Sequence, residues 1–422
     1  MDAGGANRTA TAEPVPLRRN RDFNLLWSGQ AVSGLGSAVS GICYPLLILA
    51  LTGSAAKAGI VSAAGLVTNL LLLLPAGVVA DRYPRKRIMV ITALAQMVAV
   101  GTVAPVTAAH RVYMAQLVGV GMVQGAASAF YIGASRGALR RVVPRPQLSQ
   151  AFARTQARDQ AVALAGAPAG GALFSLARFL PFACDSFSFG CIALATTFIR
   201  APLDPDPAAR AGQRTREPLR RSIAAGLRFV FGQPFLRTIA IWGAGVNSVV
   251  AGMSLMVIVL ARQHGATPAL IGLLLSVNAG AGMLGSLLAP RLTALAGGRR
   301  LALVASWLLP AGALALALAP SLWLIAVRGA VTSLLIAPVN VIFFAHQARV
   351  TPDHLQAQAG NAMQLCTSSF GWLTPPVFGL LADSLGVRAA IGVGAGLFAL
   401  IALLVQFARH LDRLDEKAQD AE

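Results

Sequence analysis

Runs of about twenty apolar residues follow one another along nearly the whole chain, separated by short polar loops. A helix of that length rises far enough to cross the roughly 30 Å hydrocarbon core of a bilayer. In lipid every backbone N–H and C=O must be satisfied internally, so only helices and closed barrels can span it. The runs here are continuous rather than alternating, which excludes a barrel. The predicted fold class is therefore an all-α membrane protein. We place twelve transmembrane helices at 23–51, 58–80, 88–108, 112–135, 155–176, 181–199, 236–261, 270–290, 301–319, 322–346, 360–382 and 387–407. Composition agrees: 12% of residues are charged, about half the share expected of a soluble domain.

The net charge of +19 would suggest nucleic acid in a soluble protein. Its distribution says otherwise. All but six of the 35 Lys and Arg residues fall on one side of the predicted spans. The exceptions are Lys57, Arg111, Arg178, Arg262 and Arg388 on the opposite side and Arg328 within a span. The positive-inside rule then puts both termini in the cytoplasm and predicts no nucleic-acid partner. Residues 1–22 are polar and read as a cytoplasmic tail rather than a leader. Residues 408–422 form the matching C-terminal tail.

One loop is long. Residues 200–235 begin rich in Pro and Arg and then turn amphipathic. Leu219, Ile223, Leu227 and Val230 share one face beside Arg220, Arg221 and Arg228, as in a helix lying on the inner membrane surface. This linker divides a bundle at 23–199 from a bundle at 236–407. A shift of 208 residues pairs Gly77 with Gly285, Pro144 with Pro352, Gln156 with Gln364, Pro168 with Pro376 and Gly171 with Gly379. Six spans separate the partners, so the halves form two parallel six-helix repeats about an axis along the membrane normal.

No soluble-enzyme constellation is present. The five histidines are scattered, and no phosphate-binding loop or metal-ligand spacing occurs, so the chain is expected to be neither an enzyme nor a cofactor or metal protein. Cys43, Cys184, Cys191 and Cys366 all lie in apolar runs and read as small buried hydrophobes.

The loop after the second run reads Gly77-Val78-Val79-Ala80-Asp81-Arg82-Tyr83-Pro84-Arg85-Lys86-Arg87. Charges here must sit at a water interface. It resembles the G-x-x-x-D-R-x-x-R-[KR] loop of major facilitator superfamily transporters. The resemblance implies an inter-bundle gate: Gly77 allows close approach, and Asp81 meets the N-terminus of the eleventh span near Gln358 to Asn361. Arg82, Arg85 and Lys86 pair with that carboxylate or with lipid phosphate. In the fifth span, Gly166-Ala167-Pro168-Ala169-Gly170-Gly171 resembles the G-P-x-x-G-G motif of exporters in the superfamily, with the proline one position later. Small residues there permit tight helix packing that seals a cavity. Pro375 to Asp383 is the second-half counterpart. Longer segments, among them Leu26-Trp27-Ser28-Gly29-Gln30 and Asp185-Ser186-Phe187-Ser188-Phe189, resemble the bacterial enterobactin and macrolide exporters.

Two departures bear on coupling. Ser37 stands where many relatives carry an acid, and Gly121 where many proton-coupled ones carry an Arg. Within the spans, Arg328 is the first candidate for an anionic substrate group, and Asp185 is the candidate coupling acid. Other cavity candidates are Gln30, Tyr44, Asn69, Gln124, Asn247, Asn278, Asn340 and Gln364, each equally suited to a helix-to-helix hydrogen bond. The expected function is secondary transport in a bacterial cytoplasmic membrane: a monomeric, proton-coupled exporter of a drug-like or siderophore-like molecule. The alternatives are an uncoupled facilitator or importer, and a scaffold or sensor that moves nothing.

Overall fold

The computed structural model describes residues 16–203, 219–352 and 355–407. Among them are fourteen α-helices and no strand. The first six are α1 (Arg21–Thr52), α2 (Ala55–Arg82), α3 (Arg85–Ala108), α4 (Met114–Val142), α5 (Leu148–Leu176) and α6 (Leu180–Thr197). Then come α7 (Leu219–Gly232), α8 (Pro234–Gln263), α9 (Pro268–Ala296), α10 (Gly298–Ala317) and α11 (Leu322–Val350). The last three are α12 (Gln356–Ser368), α13 (Thr374–Leu385) and α14 (Val387–Gln406).

Local sequence sets the helix ends. Asn20 accepts from the Phe23 amide and starts α1, and Gly53, at φ 67°, stops it. Ser54 accepts from the Lys57 amide and Thr267 from the Leu270 amide, capping α2 and α9. Prolines sit inside α1, α2, α3, α5, α9, α10 and α11. Lipid-embedded helices tolerate them because neighbours satisfy the freed carbonyls.

Ten helices are long and apolar enough to cross a membrane: α1–α4, α6, α8–α11 and α14. The fifth predicted span lies in α5, a 29-residue helix whose first half carries Arg154, Arg158 and Asp159. The eleventh is corrected: it is not one helix but α12 and α13, with a break at Ser369–Leu373. Two prolines at 375 and 376, which lack N–H groups, start the second segment there.

Packing pairs recur. α2 lies on α4 as α9 lies on α11, and α3 lies on α6 as α10 lies on α14. Two further contacts join the halves, α5 on α9 and α2 on α13. The amphipathic α7 turns its apolar side to the protein: Val230 is fully buried, and Gly226 abuts the Gln358 carbonyl and Ala362 of α12. Of its apolar stripe, Leu227 and Val230 pack on the protein core. We call the end that holds the 83–84 and 143–147 loops the basic end, and the opposite one the far end.

Candidate functional site

A cavity of about 760 Å³ runs from mid-molecule toward the basic end between α2, α4, α8 and α12. Leu66, Leu70, Leu73, Leu74, Ile132, Leu365 and Trp372 supply apolar walls. Polar groups are few: Asn69, Asn247, Gln358, Asn361, Gln364, Thr367, Ser368 and one cation, Arg136. Asn69 Nδ2 donates to the Gly125 carbonyl (3.1 Å) and Gln364 Nε2 to Ser368 Oγ (3.0 Å), which fixes both amides. Among the described residues no acid lines this cavity. Its size and mixed lining suit a drug-sized organic molecule.

At the far end the two halves interlock through glycines. A Cβ on Gly59 of α2 would overlap the Pro375 carbonyl, and one on Gly379 of α13 would overlap the Ala55 carbonyl. The α5–α9 contact repeats the device: Gly171 faces the Pro268 carbonyl, and Gly272 faces the Ala167 carbonyl beside Pro168. Backbones therefore touch directly, as small residues allow. Ser276 Oγ also donates to the Leu164 carbonyl at 2.8 Å. Asp383 adds charge to the seal. Its carboxylate accepts from the Ala55 amide (2.9 Å), the Ala56 amide (3.0 Å) and Ser54 Oγ (2.6 Å). An acid from one half thus caps the N-terminus of a helix in the other, where orphan N–H groups and the helix dipole favour it.

The basic end is different. No atom beyond its own helix comes within 4 Å of a Cβ placed on Gly77, which lines the cavity opposite Gln358 and Asn361. The expected close approach at Gly77 is absent in this state. Arg85 Nη1 donates to the Gly137 carbonyl (3.4 Å) and Lys86 Nζ to the Ile199 carbonyl (2.9 Å), so both are tied within the first half. Arg82 is exposed. Asp81 closes α2, and its side chain lies outside the described residues.

In the fifth-span motif, Gly166 packs on Ala38 and Gly170 on the Val39 carbonyl of α1, while Gly171 reaches α9. One helix is thereby seated against both halves, with Pro168 at the α9 contact.

Of the predicted cavity residues, the structure brings Asn69, Asn247 and Gln364 together. The others lie elsewhere. Gln30 Oε1 accepts from Arg158 Nη1 at 2.8 Å. Tyr44 stacks on Phe182, with ring centroids 4.9 Å apart, and its buried hydroxyl has no partner. Asn278 abuts Gly329, its Oδ1 unpartnered, and Asn340 is exposed. Gln124 is not among the lining residues. Arg328 packs against Gly312 of α10, inside the second half. Asp185 is fully buried between α1 and α6, its Oδ2 accepting from Ser40 Oγ at 2.5 Å.

Sequence reasoning missed two residues. Arg136 was counted only as a topology charge, yet lies two turns from the end of α4 on its cavity side. Asp383 carried a readable signal: it ends a helix, as Asp81 does.

A family profile described as transmembrane secretion effector matches residues 11–422. The multidrug efflux pump Tap of Mycolicibacterium fortuitum is 27% identical over 398 residues, covering 90% of this chain and 94% of Tap. Among solved structures, a bacterial homologue of the human lysosomal transporter Spinster, inward-facing and occupied, gives a TM-score of 0.73 at 15% identity, covering 94% and 98% of the two chains. An inward-facing bacterial homologue of the iron transporter ferroportin gives 0.72 at 15% identity, covering 92% and 98%.

Proposed function

We propose, for a chain that belongs to the transmembrane secretion effector family of the major facilitator superfamily, that it exports a drug-like or siderophore-like organic molecule by alternating access, driven by a proton gradient. One observation carries the reading. A cavity of drug-like size between the two halves opens at the basic end and is shut at the far end by interlocked backbones. With the basic end at the cytoplasm, this is an inward-facing state ready to load cargo from inside.

The membrane count supports twelve crossings when α5 and the α12–α13 pair join the ten clear spans. The matched packing of α2–α4 with α9–α11 supports two like-oriented six-helix halves, at 23–199 and 236–407, joined by the 200–235 linker. So does the shared task of Gly171 and Gly379, which seat the first turns of α9 and α2. In the opposite state the gate residues Gly77, Asp81, Arg82, Arg85 and Lys86 close the basic end against α12.

The efflux relative Tap favours export, and Arg136, the lining's one cation, favours a cargo bearing an anionic or strongly polar group. The test is accumulation of ethidium, macrolides and siderophores in cells with and without the protein, repeated with a protonophore. Lower accumulation that the protonophore restores supports the reading. Efflux that the protonophore leaves unchanged contradicts proton coupling and favours a facilitator. No flux of any panel compound by purified protein in proteoliposomes contradicts transport.

A further inference from the structure

Inside the first bundle, away from the cargo cavity, α1 carries a polar stripe. Gln30, Ser33, Ser37, Ser40 and Tyr44 recur at alternating spacings of three and four, so they share one helical face. Gln30 to Ser40 covers about 15 Å of helix rise, half the hydrocarbon core. Polar groups within a membrane are costly unless they serve something.

The stripe leads to Asp185. Its carboxylate is enclosed by three hydroxyls: Ser40 Oγ at 2.5 Å, and Ser37 Oγ and Ser188 Oγ each at 3.4 Å. No Lys or Arg pairs with it among the described residues. The titratable groups facing it are Cys43 and Tyr44 of α1; on its own helix Cys184 is exposed and Cys191 lines another pocket. On α3 the charges are confined to Arg85, Lys86 and Arg87 at the basic end, and on α5 to Arg154, Arg158 and Asp159 in its first half. Hydroxyls donate to a carboxylate and accept from the acid, so this setting accommodates both protonation states.

On the other side of Ser37 lies a small cavity of about 120 Å³, lined by Ser33, Ser37, Gln96, Ser128 and Tyr131. At about 30 Å³ per molecule, that is room for roughly four waters, with enough polar partners to hold them. The buried Tyr131 hydroxyl makes no well-formed hydrogen bond, its neighbour being Gln30, and is a group such a water would satisfy. Beyond it, Gln30 accepts from Arg158 (2.8 Å), whose guanidinium pairs with the half-exposed Asp159 (2.8 Å) at the basic side. Toward the far end the route is plugged: Phe182, fully buried, stacks on Tyr44 one turn outward of Asp185.

We propose that Asp185 is a proton-carrying site loaded from the cytoplasm through this intra-bundle water cavity, on a path separate from the cargo. The proposal rests on the proton-driven reading above. A hydronium ion entering beside Arg158 and Asp159 passes its proton from water to water, each oxygen releasing one as it gains one. The last transfer converts the Asp185 carboxylate to the acid and returns a water. No other reactant is consumed. The Tyr44–Phe182 plug blocks exit on the far side while the molecule is open to the basic side.

The test needs no cargo. Purified full-length protein in nanodiscs is titrated by infrared difference spectroscopy, which reads the carbonyl stretch of a protonated carboxyl and its shift on transfer to heavy water. The expected result is a pH-titrating band that Asp185→Asn removes. Ser40→Ala keeps the band but moves its frequency, which guards against misfolding of the first variant. Ser128→Val, which fills the cavity, slows deuterium exchange of the band about tenfold, as loss of one hydrogen-bonded station predicts. A band unchanged in Asp185→Asn and Ser40→Ala overturns the site, and unaltered exchange in Ser128→Val overturns the route. Failure of efflux in cells with these bands intact would count against the transport reading alone.

Discussion

α2 meets the α12–α13 pair at both ends of the molecule, and the two meetings differ. At the far end Gly59 and Gly379 leave no room for a Cβ, and Asp383 caps the first turn of α2. At the basic end Gly77 has open space, and the cavity separates α2 from Gln358 and Asn361. Each helix carries an acid near its C-terminal end, Asp81 in α2 and Asp383 in α13, and Asp383 lies beside the N-terminus of α2. The other inter-half contact, α5 on α9, has neither acid: a shift of 208 sets Ser175 against Asp383 and Ala289 against Asp81. The α5–α9 contact is therefore held by packed backbones and one hydroxyl bond, Ser276 to Leu164, while the α2–α13 contact adds a charged cap at the far end. Under the alternating access proposed above, the α5–α9 contact would act as pivot and the α2–α12/α13 contact as gate.

The largest effects should come from glycines at opposite ends. Gly379→Val forces the far-end seal apart, because the Ala55 carbonyl is backbone and cannot give way. Gly77→Val leaves this state untouched and blocks closure at the basic end. Overpacking costs of about 1–3 kcal/mol shift populations by about five- to more than a hundredfold, so both variants should lose most export. Single cysteines at Lys57 and Asn361, labelled from one side of the membrane at a time, should show opposite traps: far-end labelling rises in Gly379→Val and falls in Gly77→Val. The same trap in both variants would break the comparison.

Asp383→Asn comes next. It removes the charge from three hydrogen bonds at a helix start, worth about 1–2 kcal/mol, and should raise the outward-facing share about five- to thirtyfold. Unchanged far-end labelling would make the cap incidental. Asp81→Asn should cut transport severalfold in proteoliposomes with membrane insertion intact, and wild-type rates would remove the basic-end catch. The smallest effect belongs to the cavity amides. Asn69→Ala should raise KM about threefold, the worth of one intramembrane hydrogen bond near 0.6 kcal/mol. Arg328→Gln should leave KM unchanged, because Arg328 packs on α10 away from the cavity.

The class of molecule was legible because lipid enforces it: continuous apolar runs and one-sided basic loops admit few folds. The jammed glycines of the fifth span were legible for the same reason, since small residues in a span have few uses besides close packing. The break in the eleventh span was not, because Pro375 and Pro376 also read as a tolerated kink. Cavity residues were legible only in part. Asn69, Asn247 and Gln364 share a wall with Arg136, whereas Gln30, Tyr44 and Asn278 turn into their own bundles. Residue type alone cannot distinguish these, because an amide serves a cargo or a neighbouring helix with the same two groups. The α1 stripe is hidden for another reason: each member alone suits a helix-to-helix hydrogen bond, and only their spacing gathers them on one face.

The central claim is that the two ends of the α2–α12/α13 pair close in alternation. The direct measurement is a pair of spin-label distances on purified protein in nanodiscs, Lys57 to Leu385 at the far end and Val78 to Asn361 at the basic end. The account predicts a short far-end and a long basic-end distance in the wild type, with Asp383→Asn lengthening the first and shortening the second. Two distances that change in the same direction, or neither changing, would contradict it.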